Sequence, residues 1–219
     1  MLTIQKDPSV IEEGPLLGLV EAGFPEPSGW DMAAYASLVQ EELARVRQEG
    51  ADYDRAARFG SDPYSRYFKK YKKTYPVLQQ LESFLLKGRP FPETLPVCSL
   101  AFLAELRTGL LLGMHDAGCI RGALTLFAPG EKLPFPGLGG RESHSYPGDL
   151  TGRDEEGILF SRIGGPDART CLTEDSRQAA YLIFGVPGCD AETIRCAQEL
   201  VCGYARTLAP GVALQCRIV

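Results

Sequence analysis

The sequence predicts an α+β fold with a helix-rich N-terminal half and a strand-rich C-terminal half, the whole chain 1–219 forming one domain. Three observations carry this. Apolar residues recur at helical spacing through much of the first half, and short apolar runs follow in the second half. The two kinds of segment do not alternate regularly, as a parallel βαβ architecture would require. With 44% apolar and 23% charged residues, the composition is that of an ordinary globular chain able to bury a sizeable core.

The elements follow in order. Residues 15–24, PLLGLVEAGF, read as a buried strand. Asp31 caps a helix running to about Gln48, with Tyr35, Leu38, Val39, Leu43 and Val46 on one face and Gly50 placed for a left-handed stop. A second helix opens at Asp62 and Pro63. Its stripe of Tyr64, Tyr67, Phe68, Tyr71 and Tyr75 reads as the buried side of an amphipathic helix, with lysines opposite. A third helix follows in PVLQQLESFLL, stopped by Gly88 and by Pro90 and Pro92, and a fourth spans about 97–111. Strands are expected over 121–127, 157–163, 179–185 and 212–218. Between the last two lies a helix capped by Asp190, with Ile194, Ala197, Val201, Tyr204 and Leu208 on one face. The segment Ala128–Gly140, rich in proline and glycine, holds Leu133, Phe135 and Leu138, so it reads as an ordered turn and not a linker.

Several chemistries are excluded. GLGG is neither a dinucleotide fingerprint nor a Walker loop, and no G-x-S-x-G elbow occurs. The seven cysteines form no C-x-x-C pair and there are two histidines, so neither a zinc site nor a cofactor is expected. The cysteines read as reduced, buried core residues. No apolar run reaches membrane-spanning length and no export leader opens the chain, so a cytoplasmic protein without a membrane or DNA partner is expected. The net charge of −5 is unevenly spread: residues 62–89 hold seven basic side chains against Asp62 and Glu82. This patch, with Lys69, Lys70, Lys72 and Lys73, is either a solvated helix face or a contact for a polyanion. The histidines are the remaining candidates for acid–base chemistry. Ser143-His144-Ser145 reads as an exposed polar loop, and His115-Asp116 as a loop after the fourth helix that enters a pocket.

Four segments in the right order resemble one family: YKKTYPVLQQLESFLLKGRPFP, FAPGEKLPFPGLGG, YPGDLTGRDEEGILFSRI with its turn at Asp154–Gly157, and DARTCLTEDSRQAAYLIFGVPG. Over residues 60–218 the chain is similar to free-standing copies of the B3/4 domain, the editing module of the phenylalanyl-tRNA synthetase beta chain. The resemblance implies a trans-acting aminoacyl-tRNA editing protein that hydrolyses the ester of a mischarged tRNA, or a B3/4 module that binds tRNA, an amino-acid-like ligand or a protein without catalysis. Such a site needs positioning, a water and oxyanion donors, and no nucleophilic triad. The family's Thr-Asn pair falls on Ala101 and Phe102, and its histidine on Gly113, so its editing residues are largely missing. The resemblance implies one concave site lined by Phe102, Gly113, His115, Asp116, Arg169 and Thr170, with Arg169 either a ligand-binding or a structural side chain. The catalytic residue, the amino acid, the tRNA and the oligomeric state are left open.

Overall fold

The computed structural model describes residues 1–14 and 16–219. In chain order the elements are β1 (Ile4–Lys6), β2 (Leu17–Gly23), α1 (Met32–Glu49), α2 (Arg55–Phe59), α3 (Pro63–Lys70), α4 (Pro76–Leu85), α5 (Pro96–Thr108), β3 (Leu112–Asp116), β4 (Leu124–Phe127), β5 (Pro134–Pro136), β6 (Glu142–His144), β7 (Thr151–Arg153), β8 (Ile158–Ser161), β9 (Gly165–Pro166), β10 (Gln178–Phe184), α6 (Ala191–Leu208) and β11 (Ala213–Ile218). The architecture is α+β. Pro15, placed by the sequence in the first strand, lies outside the described residues.

Three layers form because one strand is apolar on both faces. The antiparallel sheet β11-β2-β10-β3 is the middle layer. Along β10, Ala179, Tyr181 and Ile183 join the cluster formed with the helices, while Ala180, Leu182 and Phe184 join a second cluster. That second cluster lies against Leu124, Leu126, Leu159 and Phe160 of the sheet β1-β4-β7-β8-β9. Strict alternation in the strand thus feeds two cores at once. In this second sheet β1 pairs with β4 in parallel and the other pairs are antiparallel.

Capping chemistry sets the helix boundaries. Asp31, Asp62 and Asp190 each accept a backbone N–H from the first turn of their helix. Ile194, Ala197, Val201, Tyr204 and Leu208 are all buried. Tyr35 and Val46 are buried as well, and Leu38, Val39 and Leu43 pack partly buried against the same core. Gly50 does not take the left-handed conformation expected of it: its φ is −92°, and the αL stop occurs instead at Gly109, where φ is 76° and α5 ends three residues early. Tyr64, Tyr67, Phe68 and Tyr75 of the aromatic stripe are buried and Tyr71 is half-buried, but the stripe runs past one helix, since α3 ends at Lys70 and Tyr75 precedes α4. A short helix, α2, capped by Asp54, was not foreseen.

The Ala128–Gly140 segment is ordered. β5 and β6 form a hairpin that buries Phe135, and backbone bonds Ser145 N to Leu133 O (2.9 Å) and Gly148 N to Pro129 O (2.8 Å) hold it down. The Ser143–Ser145 stretch is therefore not an exposed loop: His144 ends β6 and is half-buried, and Ser145 is buried. The cysteines also depart from expectation, because only Cys202 is buried and Cys196 and Cys216 are exposed. Cys196 falls on the outer side of α6, opposite the apolar stripe.

Helix α6 lies close on β2 because Gly18 has no side chain. A Cβ there would stand 2.4 Å from the Ile194 Cγ2. Beside it the Gln198 amide donates to Leu19 O (2.9 Å) and Arg217 O (2.8 Å), fastening the helix to two strands. Gly18→Ala is therefore expected to lower the unfolding free energy by about 1–3 kcal/mol, measured by chemical denaturation, since overpacking forces the helix off the sheet.

Candidate functional site

β3 is an edge strand, and its free edge faces the β8–β9 end of the other sheet across a cavity roofed by α4 and α5. The volume is about 520 Å³, within the usual range of small-molecule sites. Helical spacing places Cys98, Phe102 and Glu105 on one face of α5, lining the cavity. Phe68, Leu111, Leu112, Phe160 and Phe184 make most of the wall apolar, and the Ser161–Pro166 segment closes it opposite β3.

His115 lies on this wall. It belongs to β3 and not to a loop, since the chain turns at Gly109 and pairs at once with β10. Its side chain is 1% exposed and packs against Phe160, with ring centroids 5.8 Å apart. Nδ1 lies 2.6 Å from Thr170 Oγ1, and the Thr170 hydroxyl donates in turn to Asp167. That hydroxyl has one proton, which Asp167 receives, so the imidazole Nδ1–H donates and Nε2 keeps its lone pair. Nε2 is buried without a hydrogen-bond partner. Burial, reinforced by the Arg169 charge, pushes the His115 pKa down to about 4 and keeps the ring neutral.

Glu105 is a second unsatisfied group. It is 3% exposed; its Oε1 accepts the Leu112 N–H at 2.9 Å, while Oε2 has no partner in hydrogen-bond geometry. Burial pushes its pKa up to about 8, moderated by the Leu112 N–H and the Gln80 amide. The Leu112 and Asp116 N–H groups point away from β10, toward Glu105 and Thr170 O, so the strand period turns the Met114 N–H to the same free edge.

The Ser161–Gly164 turn is held from behind by Asp149. This buried carboxylate accepts the Tyr67 hydroxyl (2.7 Å), the Ile163 N–H (3.0 Å) and the Ser161 hydroxyl. Ser161 Oγ accepts the Gly164 N–H at 2.8 Å. Gly164 has no room for a side chain, because a Cβ would lie 2.1 Å from the His144 carbonyl oxygen. Arg162, also on the cavity wall, is buried; its guanidinium binds Glu12 at 3.1–3.3 Å and lies 4.7 Å over the Tyr67 ring.

Phe102, Gly113 and His115 thus line the cavity together. Thr170 stands behind His115 as its orienting partner. Asp116 and Arg169 turn elsewhere. Asp116 accepts the Gly118 N–H (2.8 Å) and the Ser176 hydroxyl. Arg169 pairs with Asp154 at 2.8 Å and Glu156 at 3.3 Å, both in the β7–β8 turn, and donates to Cys119 O. Ala101 is wholly in the helical core. Lys69, Lys70, Lys72 and Lys73 are exposed, and Lys69 and Lys70 directly follow Phe68 of the cavity wall. Lys73 and Lys132 lie 5.6 and 5.7 Å from the Tyr146 ring centroid. Sequence reasoning missed Glu105, Asp149, Arg162 and Asp167. Two of them carried a signal: a lone carboxylate in the apolar run VCSLAFLAELRTG, and an arginine directly after the apolar strand ILFS.

No protein-family model and no curated protein matches this chain in sequence. In structure it is similar to an N-terminal fragment of the phenylalanyl-tRNA synthetase beta subunit from Pyrococcus horikoshii, with a TM-score of 0.50 and 14% identity, over 97% of this chain and 50% of that one. The chain thus spans half the length of that fragment, and at this identity the likeness is one of fold. Among the described residues, no group of His, Cys, Asp or Glu is placed to hold a metal ion, and no helix is long and apolar enough to cross a membrane.

The two buried groups make stability depend on pH in opposite directions. Glu105 has a raised pKa, so stability falls as pH rises from the unfolded value near 4.5 through about 8. His115 has a depressed pKa, so stability falls as pH drops from about 6.5 through about 4. Glu105→Gln is expected to remove the fall in stability between about pH 4.5 and 8 and to leave only the His115-linked fall as pH drops from about 6.5 through about 4, as read by denaturation midpoints across pH.

Proposed function

We propose that this chain acts in trans on an aminoacyl-tRNA, taking the aminoacyl end into the cavity and hydrolysing its ester. The observation that carries the reading is the neutral imidazole of His115 on the wall of an apolar cavity, its Nε2 lone pair free and its orientation fixed by Thr170 and Asp167. A base, an orienting partner and a dry pocket are what water-mediated ester cleavage asks of a protein. In this reading Nε2 takes a proton from the attacking water as its oxygen bonds the ester carbonyl carbon. The same proton then goes to the ribose oxygen as the ester C–O bond breaks. The Met114 N–H, on the same free edge, is the backbone donor placed for the developing oxyanion. The fold likeness supports the substrate class, and the exposed lysines beside Phe68 supply a landing surface for the tRNA backbone.

A second reading is binding without hydrolysis. The Ile163 and Gly164 N–H groups are already engaged by Asp149 and Ser161, which leaves the site few oxyanion donors.

Deacylation of a panel of mischarged tRNAs by the purified chain separates the two. Hydrolysis of at least one species, lost by about 10²-fold or more in His115→Ala, is the expected result. Binding of tRNA with no hydrolysis of any species leaves the second reading. For the surface, replacing Lys69, Lys70, Lys72 and Lys73 by Glu is expected to weaken tRNA binding and to flatten the dependence of log K on log salt. Equal affinity and slope in the variant reduce these lysines to a solvated face.

A further inference from the structure

The proposed chemistry leaves Glu105 without a role. A carboxyl with an unpaired oxygen is costly in an apolar wall, by more than a typical hydrogen bond contributes, and buried polar atoms of this kind are seldom left without a partner. Folding alone does not account for an acid here: a glutamine would pack on the same helix face and still accept the Leu112 N–H, without a carboxyl to desolvate. Glu105 is also the one carboxylate among the described residues that line the cavity. The other titratable groups on the wall are Cys98, Cys171, His115 and Arg162. Arg162 is turned to Glu12, His115 is neutral, and Tyr75, which packs behind, gives its hydroxyl to Gly109 O at 2.7 Å. No cation of the protein therefore answers Glu105.

We infer that the cavity takes a ligand bearing a primary ammonium group, and that the Glu105 carboxylate receives it. The chemistry follows from what an apolar cavity demands. An ammonium stripped of water in such a place needs a carboxylate within reach, and a buried carboxylate needs a cation. Each group removes the other's penalty. The ammonium belongs either to the α-position of an aminoacyl group or to the end of its side chain. The inference rests on the aminoacyl reading for that origin, but not on hydrolysis.

A consequence separates this from simple hydrogen bonding. In the empty cavity burial holds Glu105 protonated near neutrality, with a pKa of about 8. An ammonium favours the carboxylate, so binding releases the Glu105 proton to solvent. A hydroxyl or amide ligand releases none.

The test is titration calorimetry of the full chain near pH 6, in buffers of unlike ionisation enthalpy, where Glu105 is protonated and α-amines are charged. Four probes divide the possibilities. Phenylalaninamide carries the α-ammonium alone, Nα-acetyl-lysinamide the side-chain ammonium alone, and Nα-acetyl-phenylalaninamide and Nα-acetyl-tyrosinamide neither. We expect one of the two ammonium probes to bind with release of close to one proton, and which one binds names the source. Glu105→Gln is expected to abolish the release and to weaken that probe at least tenfold. Should this variant fail to fold, proton release by the wild-type chain decides alone. The inference is overturned by ammonium binding without proton release, by Nα-acetyl-phenylalaninamide or Nα-acetyl-tyrosinamide binding as tightly as the ammonium probe, or by no ammonium probe binding at millimolar concentration. Ammonium binding in a protein that deacylates nothing would uphold Glu105 and sink only the hydrolytic reading.

Discussion

Burial of β10 on both faces is the constraint from which the rest of the structure follows. A strand whose alternate residues, Tyr181 and Ile183 on one side and Leu182 and Phe184 on the other, are all withdrawn from water needs a layer on each face. The helices supply one and the second sheet the other. Because β10 is flanked by β2 and β3, and β2 in turn by β11, the sheet ends at β3. The second sheet and the α4–α5 helices do not close over that edge completely. The cavity is the space left there.

The position of the cavity explains its chemistry. An edge strand exposes backbone donors, which elsewhere invite unwanted pairing. Here Leu112 N–H is answered by Glu105 and Asp116 N–H by Thr170 O, so the edge is blunted from inside the molecule. Both answers come from the cavity region. The first leaves Glu105 with one oxygen unpaired, and the second brings Thr170 next to the His115 ring. Each unsatisfied atom, Glu105 Oε2 and His115 Nε2, carries a desolvation cost that a fully paired group would not. Asp149 follows the opposite rule. Its hydrogen bonds to Tyr67, Ser161 and Ile163 are satisfied, and it holds the far wall rigid.

The local chemistry of the chain made most elements legible. Asp31, Asp62 and Asp190 act as caps as their sequence context implies, and the α6 stripe is buried as its spacing requires. The Pro-rich segment is ordered around Phe135, as apolar residues among prolines suggested. Legibility failed where long-range pairing decides. Nothing local in LGMHD distinguishes a strand from a loop; β10 makes it a strand, and this turns His115 inward. Arg169 is compatible in sequence with ligand binding, and only the approach of Asp154 and Glu156 assigns it to the β7–β8 turn. The cavity was partly legible: Phe102, Gly113 and His115 line it, whereas Glu105 was overlooked within an apolar helix because what sets it apart is one unpaired oxygen and the lack of a cation beside it.

His115, on the cavity wall, holds a neutral imidazole whose buried Nε2 has no hydrogen-bond partner. Nitrogen-15 NMR of the histidine side chains measures this directly, and the chain has two histidines, so the signals are separable. The account predicts that one ring keeps a proton on Nδ1 and an unprotonated Nε2 without titrating between pH 8 and about 5, while His144 supplies the other signal. A His115 ring that titrates near 6.5, or that carries its proton on Nε2, would contradict it.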